Sequence, residues 1–218
     1  MDYQHLSVEL LGHDSIRVRT TKPESLYVYF DPYQLDNTVA LPKADVLFIT
    51  HTHYDHCSVE DIKKIIQKNT VIVTVPDAQS KLVNMDVAEV ALVRPGKTLD
   101  VKGLHVTAVP AYNTNKPFHP KENEWVGFIV DFAGVSVYVA GDTDVIPEMN
   151  SFPKIDVAFL PVSGTYVMTA DEAAKAAEVL KPQVAVPMHY GVVVGSASDA
   201  EKFKSLLEQR RMKAEILR

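Results

Sequence analysis

Residues 51–56 read His51-Thr52-His53-Tyr54-Asp55-His56, four metal-ligand side chains in six positions. Imidazole nitrogen and carboxylate oxygen are the donors that suit a divalent metal such as zinc. His51 and His53 are two apart, so in an extended segment they face the same side. Asp55 and His56 follow where the chain must turn, and are free to aim at a second, adjacent position. Three of the chain's eight histidines beside one aspartate point to a metal loop rather than to a polar turn that happens to hold histidine.

Three later segments carry the same kind of signal. Gly141-Asp142-Thr143-Asp144 follows an apolar run, so Asp142 emerges at a strand's carboxyl end, where a carboxylate is able to bridge two cations. Pro187-Met188-His189-Tyr190-Gly191 follows Val184-Ala185-Val186 and puts a histidine at a similar exit. Leu160-Pro161-Val162-Ser163-Gly164-Thr165-Tyr166 reads as a tight loop suited to lining a pocket.

The elements that must position these groups alternate between strand-like and helix-like stretches. Val46-Leu47-Phe48-Ile49, just before the histidine cluster, reads as a buried strand. Further strands are expected over residues 7–19, 25–30, 71–75, 87–93, 104–109, 126–132, 135–140, 157–161 and 184–187, with 44–50 enclosing the first. They are rich in Val, Ile, Tyr and Phe. Residues 44–50, 157–161 and 184–187 are almost wholly apolar, as strands covered on both faces are. Helices are expected from Ser58 to Gln67, from Thr169 to about Leu180 and from Ser198 to about Arg211, each opened by a hydroxyl with an acid three residues on. Residues 213–217 read as a last edge strand. Some ten strands with few helices fit an α+β arrangement of sheet packed on sheet with helices outside.

The 218 residues suit one domain spanning 1–218. An apolar fraction of 46% and a charged fraction of 23% match a soluble protein with a true core. The net charge of −6 comes without a run of lysine or arginine, which argues against a nucleic-acid partner and for a small-molecule substrate. Cys57 is the sole cysteine, so no intrachain disulfide forms, and it is expected to be a packed residue. The start, Met1-Asp2-Tyr3-Gln4-His5, lacks a signal-peptide pattern, and the apolar runs are too short to span a bilayer. No membrane partner is expected, a cytoplasmic location is, and a homo-oligomer is left open.

Taken together, His-x-His-x-Asp-His, then Gly-Asp, then a histidine, each after a strand and in that order, resemble the metallo-β-lactamase superfamily over nearly the whole chain. Gly12-His13-Asp14-Ser15, Phe30-Asp31-Pro32, Leu160-Pro161 with Gly164-Thr165-Tyr166, and Pro187-Met188-His189-Tyr190 resemble its branch of metal-dependent hydrolases that includes the ascorbate-6-phosphate lactonases. The resemblance implies a four-layer αββα sandwich of mixed sheets with the metal site at one edge. It implies a first metal on His51 and His53, a second on Asp55, His56 and His189, and Asp142 bridging them. The family supplies one more histidine to the first metal from the loop after the strand ending near Pro110. Here Asn113 stands in that place and His119 comes six residues later; His119 is favoured, with a weakly coordinating Asn113 or an incomplete first site the alternatives. His13 and Asp31 stand one step back, as groups that orient a ligand or touch substrate.

The implied chemistry is hydrolysis of an ester-like bond (lactone, carboxylic ester or small phosphodiester) by a hydroxide activated by two divalent ions, zinc first, with manganese or iron fitting the same donors. Two ions about 3.5–4 Å apart lower the pKa of a shared water to near 7. Asp55 is the candidate to take the nucleophile's proton, and Tyr166, Tyr190 or His13 to donate to the oxyanion or leaving group. A non-catalytic metal-binding regulator and, behind it, a nuclease are the alternatives. The di-iron redox branch resembles His-x-Glu-x-Asp-His, and this chain has His53 at the glutamate position. His5 and His105 read as surface or packing residues.

Overall fold

The computed structural model describes residues 1–217. The first sheet takes seven strands in chain order: β1 (Asp2–Tyr3), β2 (Leu6–Gly12), β3 (Ser15–Thr20), β4 (Leu26–Phe30), β5 (Val46–Ile49), β6 (Val71–Thr74) and β7 (Glu89–Leu92). Its first four strands meander antiparallel, whereas β4 through β7 run parallel. The second sheet repeats the scheme with β8 (Thr98–Val101), β9 (Leu104–Pro110), β10 (Val126–Phe132), β11 (Val135–Val139), β12 (Val157–Pro161) and β13 (Val184–Met188). Strands β8 to β11 are antiparallel, and β11, β12 and β13 are parallel.

Parallel neighbours need crossovers, and helices supply them. Helix α1 (Val59–Ile65) links β5 to β6, α2 (Ala170–Leu180) links β12 to β13, and α3 (Ala197–Gln209) follows β13. Helices α2 and α3 pack together, on β12 and β13 respectively. Strands β5, β12 and β13 are buried at every position because both their faces are covered. Between the sheets, Phe48 of β5 stacks on Phe30 of β4 at 4.9 Å and meets Phe128 of β10 at 4.8 Å. The result is the expected αββα sandwich.

Parallel strands all end at one edge, and the chemically marked residues lie there. Asp31 follows β4, His51 follows β5, Asp142 follows β11 and His189 follows β13. Main-chain bonds lock the two edges together: the Val126 amide donates to the Thr50 carbonyl at 3.3 Å, and the His189 amide donates to the His13 carbonyl at 3.1 Å. Gly141, at φ +62°, brings the end of β11 against Thr50; a Cβ there would stand 3.1 Å from both the Thr50 Cβ and the Val126 carbonyl oxygen. His13, Asp31 and His189 also hold positive φ, at 45°, 41° and 59°. Such backbone is uncommon for residues with a Cβ and clusters where side chains are aimed for function.

Several expected bounds move. Residues 7–19 form a hairpin rather than one strand, turning at His13-Asp14, and the period-two pattern persists through so short a turn. The third helix starts two residues earlier than expected, because Ser196 with Asp199 forms the capping box in place of Ser198 with Glu201. The first helix ends at Ile65 rather than Gln67. Strands β1 and β8 are additional, and residues 213–217 contribute a single parallel bridge, Ala185 to Ala214, instead of a strand. No helix among the described residues is long and apolar enough to cross a membrane.

The close approach of β10 to the end of β11 requires glycine at 127. A Cβ there would lie 2.6 Å from the Ala140 carbonyl oxygen and 2.8 Å from that of Val139. Gly127→Ala is therefore expected to destabilise the fold by roughly 1–3 kcal/mol, read as a lowered midpoint in urea denaturation with an unchanged m-value.

Candidate metal centre

Asp142 is buried at the meeting of the two sheets. Its Oδ2 lies 3.0 Å from His119 Nε2, 3.3 Å from His189 Nε2 and 3.9 Å from His51 Nε2, while its Oδ1 lies 3.3 Å from His56 Nε2. Two groups of donors share this carboxylate, each with its atoms within 4.8 Å of one another: His51, His53, His119 and Asp142, and Asp14, His56, Asp142 and His189. In the first group, His53 Nδ1 lies 3.1 Å from His51 Nε2 and 3.3 Å from His119 Nε2.

Four of these five imidazoles are held from behind. His56 Nδ1 donates to Asp31 Oδ2 at 2.8 Å. The Thr50 hydroxyl donates to the same Asp31 oxygen at 2.6 Å and stands 3.0 Å from His51 Nδ1. His119 Nδ1 donates to Asn113 Oδ1 at 3.0 Å, and His189 Nδ1 pairs with the Ser163 hydroxyl at 2.9 Å. A protonated Nδ1 leaves Nε2 with its lone pair facing the centre, the arrangement by which outer partners fix a metal-ligating histidine. Asn113 thus holds His119, and His119 is the one whose ring faces Asp142.

The donors suit a cation. Both Asp14 oxygens, Asp142 Oδ1, His56 Nε2 and His189 Nε2 are buried without a hydrogen-bond partner. Asp14 Oδ2 is nevertheless only 3.2 Å from His56 Nε2. Two ligands on a tetrahedral zinc at about 2.1 Å stand about 3.4 Å apart, so these separations are those of atoms around one ion. The electrostatics agree. Burial works against charge on His56, yet Asp142, Asp14 and Asp31 hold it well above its ordinary value. His189 is likewise pushed to about 9, with Asp142 and Asp14 outweighing burial. Burial favours a protonated Asp142, but His189 and His56 keep it well below the usual carboxylate range. His51, where burial and the neighbouring His56 act together, is held well below its ordinary value and stays neutral.

Asp55 falls in a third group, with His13 and His189. Its Oδ2 accepts from His13 Nε2 at 3.3 Å. The ring of His13 lies 4.2 Å from that of His189. Burial alone would raise the Asp55 carboxyl; the His13 hydrogen bond and the charge of His56 bring it below its ordinary value. Asp14 was not anticipated. The signal for it was the polar triplet His13-Asp14-Ser15 interrupting an alternating stretch.

A pocket of about 200 Å³ opens over the centre, lined on its polar side by His53, Asp55, His119, Asp142 and His189 and on the other by Tyr54, Phe118, Tyr166 and Val193. Tyr190 is not among these lining residues; it packs against the edge of the core. Cys57 is buried, which pushes its thiol to about 11, and it stands outside the donor groups. His5 bonds the Phe132 carbonyl and His105 pairs with Asp100, both away from the centre.

Residues 7–189 match the family described as the beta-lactamase superfamily domain. The chain is 32% identical over 188 residues to a UPF0173 metal-dependent hydrolase of Thermoplasma acidophilum, covering 83% of each chain. It is 32% identical over 223 residues to one of Thermococcus onnurineus, covering 97% of this chain and 95% of that one. A crystal structure from Parabacteroides distasonis, of a protein named as a metal-dependent hydrolase, superposes with a TM-score of 0.84 at 32% identity, covering 98% of this chain and 94% of that one.

Trp125, the sole tryptophan, lies 4.7 Å from the ring of His51 and 4.8 Å from that of His53. Its fluorescence is expected to change when zinc is added to chelator-treated protein. In the same titration, Asp31→Asn is expected to weaken zinc binding roughly 10–100-fold, the usual cost of losing a ligand's outer partner.

Proposed function

This chain belongs to the metallo-β-lactamase superfamily and is a metal-dependent hydrolase, and from that premise we propose that it holds two divalent ions and cleaves an ester-like bond. The observation that carries the dinuclear reading is Asp142, one carboxylate shared by two complete donor groups. One ion would rest on His51, His53 and His119, the other on His56, His189 and Asp14, with Asp142 common to both. The histidine-rich first group suits zinc, and the more carboxylate-rich second also accepts manganese or iron. When bound, such ions supply Lewis acidity and water activation at neutral pH.

The protein's own residues divide the remaining work. Asp55, on the pocket wall and held below its ordinary value, accepts a proton there while His13 Nε2 donates to its Oδ2. His13, its ring tilted against that of His189, keeps that carboxylate oriented. Asn113, Ser163, Thr50 and Asp31 hold the imidazoles so that nothing need reorganise when charge develops. Tyr166, on the pocket wall, takes the donor role over Tyr190.

Two variants separate ligand from proton acceptor. Asp14→Asn is expected to lower the zinc content from two ions per chain to about one, measured by elemental analysis. Asp55→Asn is expected to keep two ions while slowing hydrolysis of a para-nitrophenyl ester by roughly 10²–10⁴-fold, the usual contribution of a general base. The reverse pattern would return Asp55 to the second ion and remove Asp14. Chelation should abolish turnover, and full activity in metal-free protein would overturn the reading.

A further inference from the structure

The pocket above the centre is two-faced. On one side stand the proposed metal donors and Asp55; on the other, Tyr54, Phe118, Tyr166 and Val193. Phe118 meets Tyr166 edge to face at 4.8 Å. Tyr54 is 60% exposed and Phe118 is 42% exposed. Large apolar side chains left in solvent at the mouth of a polar cleft mark a surface meant for a ligand. The cavity, about 200 Å³, lies below the usual range for drug-sized ligands.

Charge narrows the choice further. Among the described residues lining this pocket there is neither lysine nor arginine. The nearby Lys81 is occupied by the Thr52 carbonyl, Lys116 by Asp144 and Lys121 by Glu148. The carboxylates Asp14, Asp55 and Asp142 stand at or beside the centre, so the protein itself turns negative rather than positive charge toward a ligand. A phosphate would find positive charge only on the bound ions, without the arginine, lysine or helix N-terminus that ordinarily adds to its recognition, and an anion short of partners is costly to desolvate. A neutral carbonyl group loses less hydration, and an apolar tail beside it gains by leaving water.

We infer that the substrate is a small, uncharged carboxylic ester or lactone whose acyl side carries an apolar group seated against Phe118, Tyr166 and Tyr54, and that phosphodiesters and anionic acyl groups are disfavoured. The inference rests on the hydrolase reading above and selects among its bond classes.

The test uses the full-length, zinc-loaded protein with para-nitrophenyl acetate, hexanoate and hemisuccinate and with bis(para-nitrophenyl) phosphate. The expected order in kcat/KM places hexanoate about tenfold or more above acetate and hemisuccinate, with the phosphodiester last. Phe118→Ser, at an exposed position, should narrow the hexanoate-to-acetate ratio about tenfold, through KM, with zinc content unchanged. A second arm follows Trp125 fluorescence with benzohydroxamate and its para-carboxylate derivative, which share one metal-binding head; benzohydroxamate should bind at least tenfold tighter. Phosphodiester preference, indifference to acyl length, or equal binding of the two hydroxamates would overturn the inference. If none of the esters or the phosphodiester is turned over, the ester-cleavage reading fails, and hydroxamate selectivity alone then decides the ligand class.

Discussion

The Asp142 carboxylate is an anion removed from water and surrounded by His51, His56, His119 and His189. Burying a lone charge is prohibitive unless it is paired, and burying several imidazoles without one would suppress their protonation and leave them with no counter-charge. Each makes the other tolerable. The mutual shifts, His189 up to about 9 and Asp142 well down, are the signature of a cluster assembled around positive charge. In the protein alone, the surrounding carboxylates favour protons on His56 and His189; a divalent ion would supply the same positive charge in one particle and would have to displace those protons to bind.

Sheet architecture delivers this cluster because each sheet ends in parallel strands. Their carboxyl ends share an edge, the crossovers run over the outer faces, and the exits need only a short turn to point side chains inward. The left-handed backbone at His13, Asp31 and His189 is that turn made by non-glycine residues. Its strain is tolerated where main-chain bonds such as His189 to His13 hold it in place. Asp31 links two tasks, fixing His56 directly and His51 through Thr50.

How much of this was readable in the chain depends on the range of the interaction. The buried parallel strands were plain, since a strand covered on both faces has no polar position to hide it. The six-residue histidine cluster and the strand-exit positions of Asp142 and His189 were local facts of spacing. The hairpin of β2 and β3 was not plain, because alternation with period two survives a tight turn, and with it Asp14 passed for part of a strand. His119 was visible only as a spare histidine in a long loop. That its ring, and not Asn113, faces Asp142 depends on a hydrogen bond between residues in the folded loop. The roles of Thr50 and Ser163 are likewise three-dimensional: each is a common hydroxyl until a particular imidazole stands beside it.

The donors come from both halves of the chain, with Asp14, His51, His53 and His56 carried by the first sheet and His119, Asp142 and His189 by the second. Among the described residues no disulfide joins the halves, since Cys57 is free. An ion held in common would therefore be a clasp whose strength follows its own free concentration, adding about 2.7 kcal/mol to folding when the ion stands at a hundred times its dissociation constant. Metal bound there would thereby tie the hold between the two site edges to metal supply, over and above the apolar core that the sheets already share.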